Sequence, residues 1–156
     1  MSVNGISNHL SDIEKRMIYV YQEKTLLNEG ALFTDETCYY RIPAEPDAGD
    51  LVTFRFRAGR DNVDQVILHM DCHIETMTRV SQDELFDYYE CTIKIGSDFI
   101  HYYFEIVKDG YSCYYNKKGV LWNRDDFYNF RIMPGFSTPD WAKGAVMYQI
   151  FVERFY

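Results

Sequence analysis

Leu51-Val52-Thr53-Phe54-Arg55-Phe56-Arg57-Ala58 alternates without a break. Val52, Phe54, Phe56 and Ala58 fall on one side of an extended chain, and Thr53, Arg55 and Arg57 on the other. A period of two rather than 3.6 predicts a β-strand with one face on a core and one in water. Downstream, Tyr88 to Ile95 repeats the pattern, with Tyr89, Cys91, Ile93 and Ile95 inward and Glu90, Thr92 and Lys94 outward. Phe99 to Lys108 is aromatic and β-branched throughout, as a central strand requires. Asp109-Gly110 then forms a two-residue hairpin signal leading into Tyr111–Asn116. Weaker strand signals lie at Ile18–Gln22, Cys38–Ile42, Gln65–Met70, Gly119–Trp122 and Phe127–Ile132.

About eight short strands separated by turn residues predict an all-β fold, an antiparallel β-sandwich of immunoglobulin-like type spanning residues 17–133. Residues 1–16 read as a flexible lead-in. Ser11 and Glu14 have capping-box spacing, but one or two isolated turns are marginal. After Met133 the texture changes. Pro134-Gly135-Phe136-Ser137-Thr138-Pro139 punctuates the chain, and Asp140 could cap a single helical turn through Gly144. Ala145 to Val152 is then an apolar run broken only by Gln149, which suits a strand buried on both faces, as in a parallel barrel. Residues 134–156 therefore read as a linker and the first strand of a truncated TIM barrel.

With 47% hydrophobic and 26% charged residues the 156-residue chain can bury a core, which excludes a disordered or collagen-like polymer. Sixteen Lys and Arg against 24 Asp and Glu give a net charge of −8, so phosphate backbones and anionic lipid are poor partners. Cys38, Cys72, Cys91 and Cys113 form no C-x-x-C pair. Free, partly buried thiols fit a chain of this size, although parity alone also permits two disulfides. No basic region precedes an apolar run at the N-terminus, and no stretch approaches a membrane span. A soluble, cytoplasmic protein is expected.

The segment Asp140-Trp141-Ala142-Lys143, followed by Val146 to Phe155, resembles the start of the catalytic barrel in neopullulanases, cyclomaltodextrinases and maltogenic amylases. These form a branch of the α-amylase superfamily of glycoside hydrolases. Pro139, Trp141, Lys143, Tyr148, Gln149, Ile150, Phe151, Glu153, Arg154 and Phe155 match the branch pattern P-x-W-x-K-x-x-x-x-Y-Q-I-F-x-E-R-F. Asp61 to Asp64, Asp83 to Tyr88 and the Tyr102–Gly110 hairpin are similar to that branch's N-terminal module. The resemblance covers about residues 18–156. It implies a starch-binding-type carbohydrate module that touches α-glucan such as maltooligosaccharide, packs with a parent catalytic barrel and supports a homodimer. The family cleaves with an Asp nucleophile, a Glu acid/base and a second Asp on later barrel strands, and none of those motifs occurs here. No catalytic residue and no cofactor is therefore expected of this chain. Glu153 and Arg154 read as structural, because a retaining carboxylate needs its partner about 5–5.5 Å away.

The remaining constellations are weighed against plainer roles. His69-x-Asp71-x-His73-x-Glu75 would share one face of a continuing strand and could hold a metal, but a strand end running into a polar loop accounts for it. No metal site is expected. For sugar, Trp122 beside Asn123, Arg124 and Asp125 combines a ring platform with polar partners. Tyr114 with Tyr115, and Tyr39 with Tyr40, are consecutive pairs, of which one member must face away from the core in a strand. Trp141 reads as interdomain packing, and Asp87-Tyr88 as the anchor of a loop. No G-x-S-x-G, G-x-G-x-x-G or P-loop supports an enzyme of another kind, and the adjacent Cys72 and His73 point to opposite faces. Two functions remain open, a weakly binding carbohydrate module and a purely structural scaffold for dimer and barrel.

Overall fold

A computed structural model describes residues 27–71 and 73–146. The expected strand at Ile18–Gln22, the lead-in turn and the apolar run from Met147 onward lie outside the described residues. Among the described residues ten strands are present: β1 (Arg41–Ile42), β2 (Leu51–Gly59), β3 (Gln65–Met70), β4 (His73–Thr76), β5 (Thr78–Gln82), β6 (Phe86–Lys94), β7 (Ile100–Lys108), β8 (Tyr111–Asn116), β9 (Gly119–Leu121) and β10 (Phe130–Ile132). They form two antiparallel sheets. One has the order β1-β2-β6-β5; the other has the order β4-β3-β7-β8-β9, with β10 paired to the first half of β7.

The alternation in β2 places its side chains as expected. Val52, Phe54, Phe56 and Ala58 are at most 1% exposed and pack across the gap onto the second sheet. Phe54 meets Tyr102 edge-to-face at 5.0 Å, and Phe56 meets Phe104 at 5.1 Å and Tyr115 at 5.3 Å. Tyr102 also stacks on Phe130 at 5.1 Å, which ties β10 into the same core. Each such ring contributes about 2–3 kcal/mol of burial, so this aromatic seam is a main source of the sandwich's stability. Tyr102 is 1% exposed and keeps its hydroxyl within reach of Arg41 Nη1 at 3.4 Å. Arg41 is itself buried and donates to the Ala44 and Arg131 carbonyls, joining the edge of one sheet to β10 of the other.

β7 is central, flanked by β3 on one side and by β8 and β10 on the other. Asp109 and Gly110, at φ +50° and +80°, close the β7–β8 hairpin with Lys108 opposite Tyr111. Three expected strands are shorter than the pattern implied. Tyr39 and Tyr40 lie in a turn fastened by Tyr40 and Arg41 amides to the Thr37 carbonyl, leaving only Arg41–Ile42 extended. Asp126–Tyr128 is a 3-10 turn capped by Asp125, so β10 begins at Phe130. β9 ends at Leu121, one residue before Trp122.

β4 and β5 were not expected from the pattern. They are one extended stretch that changes sheets at Met77, whose amide bonds the Val66 carbonyl at 2.8 Å. Asp140 lies inside the first turn of a 3-10 segment with Pro139 at its N-cap, rather than at the cap itself.

Candidate functional site

Trp122 emerges from β9 at the edge of the larger sheet. The tight β8–β9 turn sets its place: Asn116 pairs with Gly119, which takes φ +96°, and the Asn116 side chain accepts from the Lys118 amide. The same Asn116 donates to the Asp125 carbonyl at 2.8 Å, which draws the following loop back onto the sheet. Asp125 accepts from the Phe127 amide, and Asp126 accepts from Arg124 at 2.7 Å and from Asn129. The Arg124 guanidinium covers the Tyr103 ring at 4.9 Å. Its hydrogen bond holds the Asp126 carboxyl below the usual carboxylate range and raises Arg124 in turn.

On this fastened loop the indole of Trp122 is 55% exposed, and its Nε1 donates to Glu29 at 2.9 Å. Phe127 is exposed and meets the ring of Tyr128 edge-on at 5.0 Å, while Lys118 lies over Tyr128 at 5.2 Å. These two rings were read as strand residues. Adjacent aromatics amid Asn, Arg and Asp were the available signal of a loop.

The other candidates do not join Trp122. Tyr115 is in the core, on the inward face of β8. Its neighbour Tyr114 faces outward, as alternation demands, and leans edge-on against Tyr103, which stacks on His69 at 4.8 Å. Tyr39 is exposed, with its carbonyl accepting from Arg55, and Tyr40 packs edge-on against Phe33 at 5.1 Å. Trp141 is exposed among the described residues.

The His/Asp/His/Glu spacing does not produce a ligand set. The chain reverses at Asp71, φ +28°, and β4 folds back on β3 with His73 opposite Met70. His69 bonds Glu105 at 2.8 Å, His73 lies 3.4 Å from Glu75, and Asp71 lies 3.8 Å from His101. Among the described residues no group of three His, Cys, Asp or Glu could hold a metal. Asp87 proves to be a strand residue of β6. Its carboxylate nevertheless orders a neighbouring turn, accepting from the Asp61 amide at 2.9 Å.

Two antiparallel sheets packed over one core define an immunoglobulin-like β-sandwich domain. The chain belongs to the family described as "Alpha amylase, N-terminal ig-like domain", which matches residues 43–133. It is 34% identical over 139 residues to an amylopullulanase of Thermoanaerobacterium thermosulfurigenes, an alignment covering 81% of this chain and 7% of that enzyme. It is 32% identical over 90 residues to a cyclomaltodextrinase of Thermoanaerobacter pseudethanolicus, covering 53% of this chain and 16% of the relative. Over 83 residues it is 34% identical to neopullulanase 2 of Thermoactinomyces vulgaris, covering 49% and 14%. A solved cyclomaltodextrinase shares the fold with a TM-score of 0.59 at 21% identity, over 79% of this chain and 23% of that one. The chain thus spans a small part of the length of the relatives it matches.

Proposed function

We propose that this chain is the N-terminal module of an α-glucan hydrolase and that it binds maltooligosaccharide weakly through Trp122. One observation carries the reading: the indole is more than half exposed yet fixed at its edge by Glu29. A pyranose lays its C–H face on such a ring and hands its hydroxyls to neighbouring polar groups. An indole already held in one orientation loses little rotamer freedom when the sugar arrives. Asn123 and Arg124, both exposed, follow it in the loop. The ligand class is carried over from the names of the relatives, which are cyclomaltodextrinases and pullulanases. Catalysis is assigned to the parent enzyme and no residue of this chain is given a part in it.

The test is a titration of the full chain with maltoheptaose at low millimolar concentration, following tryptophan fluorescence in a Trp141→Phe background. A saturable change is expected, and Trp122→Ala should abolish binding while leaving the circular dichroism of the fold unchanged. A flat titration of folded protein overturns the reading.

A second reading, a scaffold for the parent barrel or a dimer without sugar affinity, is favoured by the surface where the chain leaves the sandwich. Phe99, Met133 and Phe136 are each about half exposed around a groove of about 410 Å³. A flat titration together with a concentration-dependent dimer in sedimentation would select this reading.

A further inference from the structure

At the loop end of the sandwich, the Glu29 turn and the β2–β3 and β5–β6 connections enclose an open cleft of about 690 Å³. We propose that this cleft is a second sugar subsite, taking a further glucosyl unit of an α-glucan chain that stacks on Trp122. The proposal rests on the reading of Trp122 given above and deepens it.

Three features argue for a sugar. The first is position. Asn28 and Gly30 line the cleft, and the residue between them is Glu29, which accepts the Trp122 bond. The indole is therefore fastened to the turn that forms one wall.

The second is chemistry. Arg60 and Glu84 both line the cleft and are exposed, and neither side chain has a hydrogen bond or ion pair among the described residues. The Arg60 amide bonds the Leu85 carbonyl at 2.9 Å, so the two loops that carry these heads are pinned together. A free donor head and a free acceptor head on one wall suit a neutral polyol. An anion would meet Glu84, and a cation would meet Arg60. Leu85, 68% exposed, and Phe86 add the apolar surface that a pyranose face requires.

The third is preorganisation. Asn28 and Asn62 bond each other reciprocally, Asn28 N to Asn62 Oδ1 at 2.8 Å and Asn62 Nδ2 to the Asn28 carbonyl at 3.0 Å. Phe86 is held from behind by Arg57, whose guanidinium lies 4.3 Å from its ring centroid and 5.1 Å from that of Phe33. Arg57 Nε is buried without a hydrogen-bond partner among the described residues, and stacking on the two rings holds this side chain. Arg57 is in this sense a positioning residue, acting on the cleft through Phe86. At the floor, a Cβ on Gly59 would come within 3.0 Å of Ala31 Cβ and 3.3 Å of Asn62 Cβ. Any larger residue there would have to push these neighbours aside by a few tenths of an ångström.

The experiment is calorimetric titration of the full chain with maltose and with maltoheptaose, for the unsubstituted protein, Arg60→Ala, Glu84→Ala and Trp122→Ala. Loss of one hydrogen bond at the second subsite should weaken maltoheptaose by about fivefold in Arg60→Ala and in Glu84→Ala. Maltose, seated on Trp122, should be unaffected. Amide shifts of Arg60, Glu84 and Leu85 on adding maltoheptaose to the unsubstituted protein give the same answer without any substitution. Unchanged affinity in both cleft variants, with still amides and with binding abolished by Trp122→Ala, overturns the subsite and leaves the Trp122 reading standing. Binding that survives Trp122→Ala but fails in the cleft variants supports the cleft and overturns the Trp122 platform. Absence of maltoheptaose binding to the unsubstituted protein overturns both.

Discussion

Asp87 sits on the inward face of β6, where the alternation of Tyr89, Cys91 and Ile93 asks for an apolar side chain. Its side chain is fully buried and is kept there by partners: the Asp61 amide and Gln82 Nε2, both at 2.9 Å, and Arg79 at 3.4 Å. A buried carboxylate is tolerable only when its lone pairs are taken up in this way. Asp87→Ala strands those donors and should cost about 2–3 kcal/mol in urea unfolding. A change under about 0.5 kcal/mol, the level of a neutral surface substitution, would show that the clasp carries no weight. The sequence offered no means of seeing it, because a carboxylate next to Tyr88 in a polar stretch has the appearance of a loop anchor. Trp122 was legible for the opposite reason. The polar run Asn123-Arg124-Asp125 that follows it marks a loop, and the ring proves exposed.

At the scale of elements, strands with one dry and one wet face were readable, since alternation is what half-burial requires. β2, β3, β6 and β8 follow it, whereas β7, buried at Tyr102, Tyr103 and Phe104 in succession, was read from its aromatic and β-branched run. β4 and β5 escaped because they are edge strands in two different sheets and are exposed along their whole length, so only Met77 at the crossing is buried. No periodic burial means no periodic sequence. The metal-like spacing from His69 to Glu75 failed through the same turn, since a hairpin at Asp71 ends the shared face. The Asp109-Gly110 turn was legible because two successive positive φ values restrict the choice of residue. Gly110→Ala should therefore cost about 1 kcal/mol by urea unfolding, with no loss of strand content. A latch where the chain leaves the sandwich depends on pH. The hydroxyl and amide of Thr138, with the Lys143 ammonium, hold the Glu45 carboxyl down to about 2 from its ordinary 4.5. A lowered pKa favours the latched state fully above pH 4.5 and loses it as pH falls through 2. Hydrogen exchange at the Thr138 amide should accelerate across that window, beyond the intrinsic pH trend. Glu45→Gln should bring the faster exchange to neutral pH. An exchange rate indifferent to both would mean that the segment is held by something other than Glu45.

Across the whole molecule, the two sheets share one aromatic seam, and this makes a cooperative claim about unfolding. Cys91 lies on β6 of one sheet and Cys113 on β8 of the other, and both point toward the seam. Burial pushes the Cys91 thiol up to about 12 and Cys113 up to about 11, so neither offers appreciable thiolate near pH 8. Cys38 is exposed. An alkylating reagent at pH 8 should therefore modify Cys38 in the native protein and leave Cys91 and Cys113 untouched, as peptide mass spectrometry would report. With rising urea, Cys91 and Cys113 should become reactive at one common midpoint, coinciding with the loss of β-sheet circular dichroism. Rings such as Phe54 and Tyr102 bridge the sheets, so neither sheet retains a dry face once the other has gone. Two separated midpoints would mean that the sheets open independently and that the seam does not couple them.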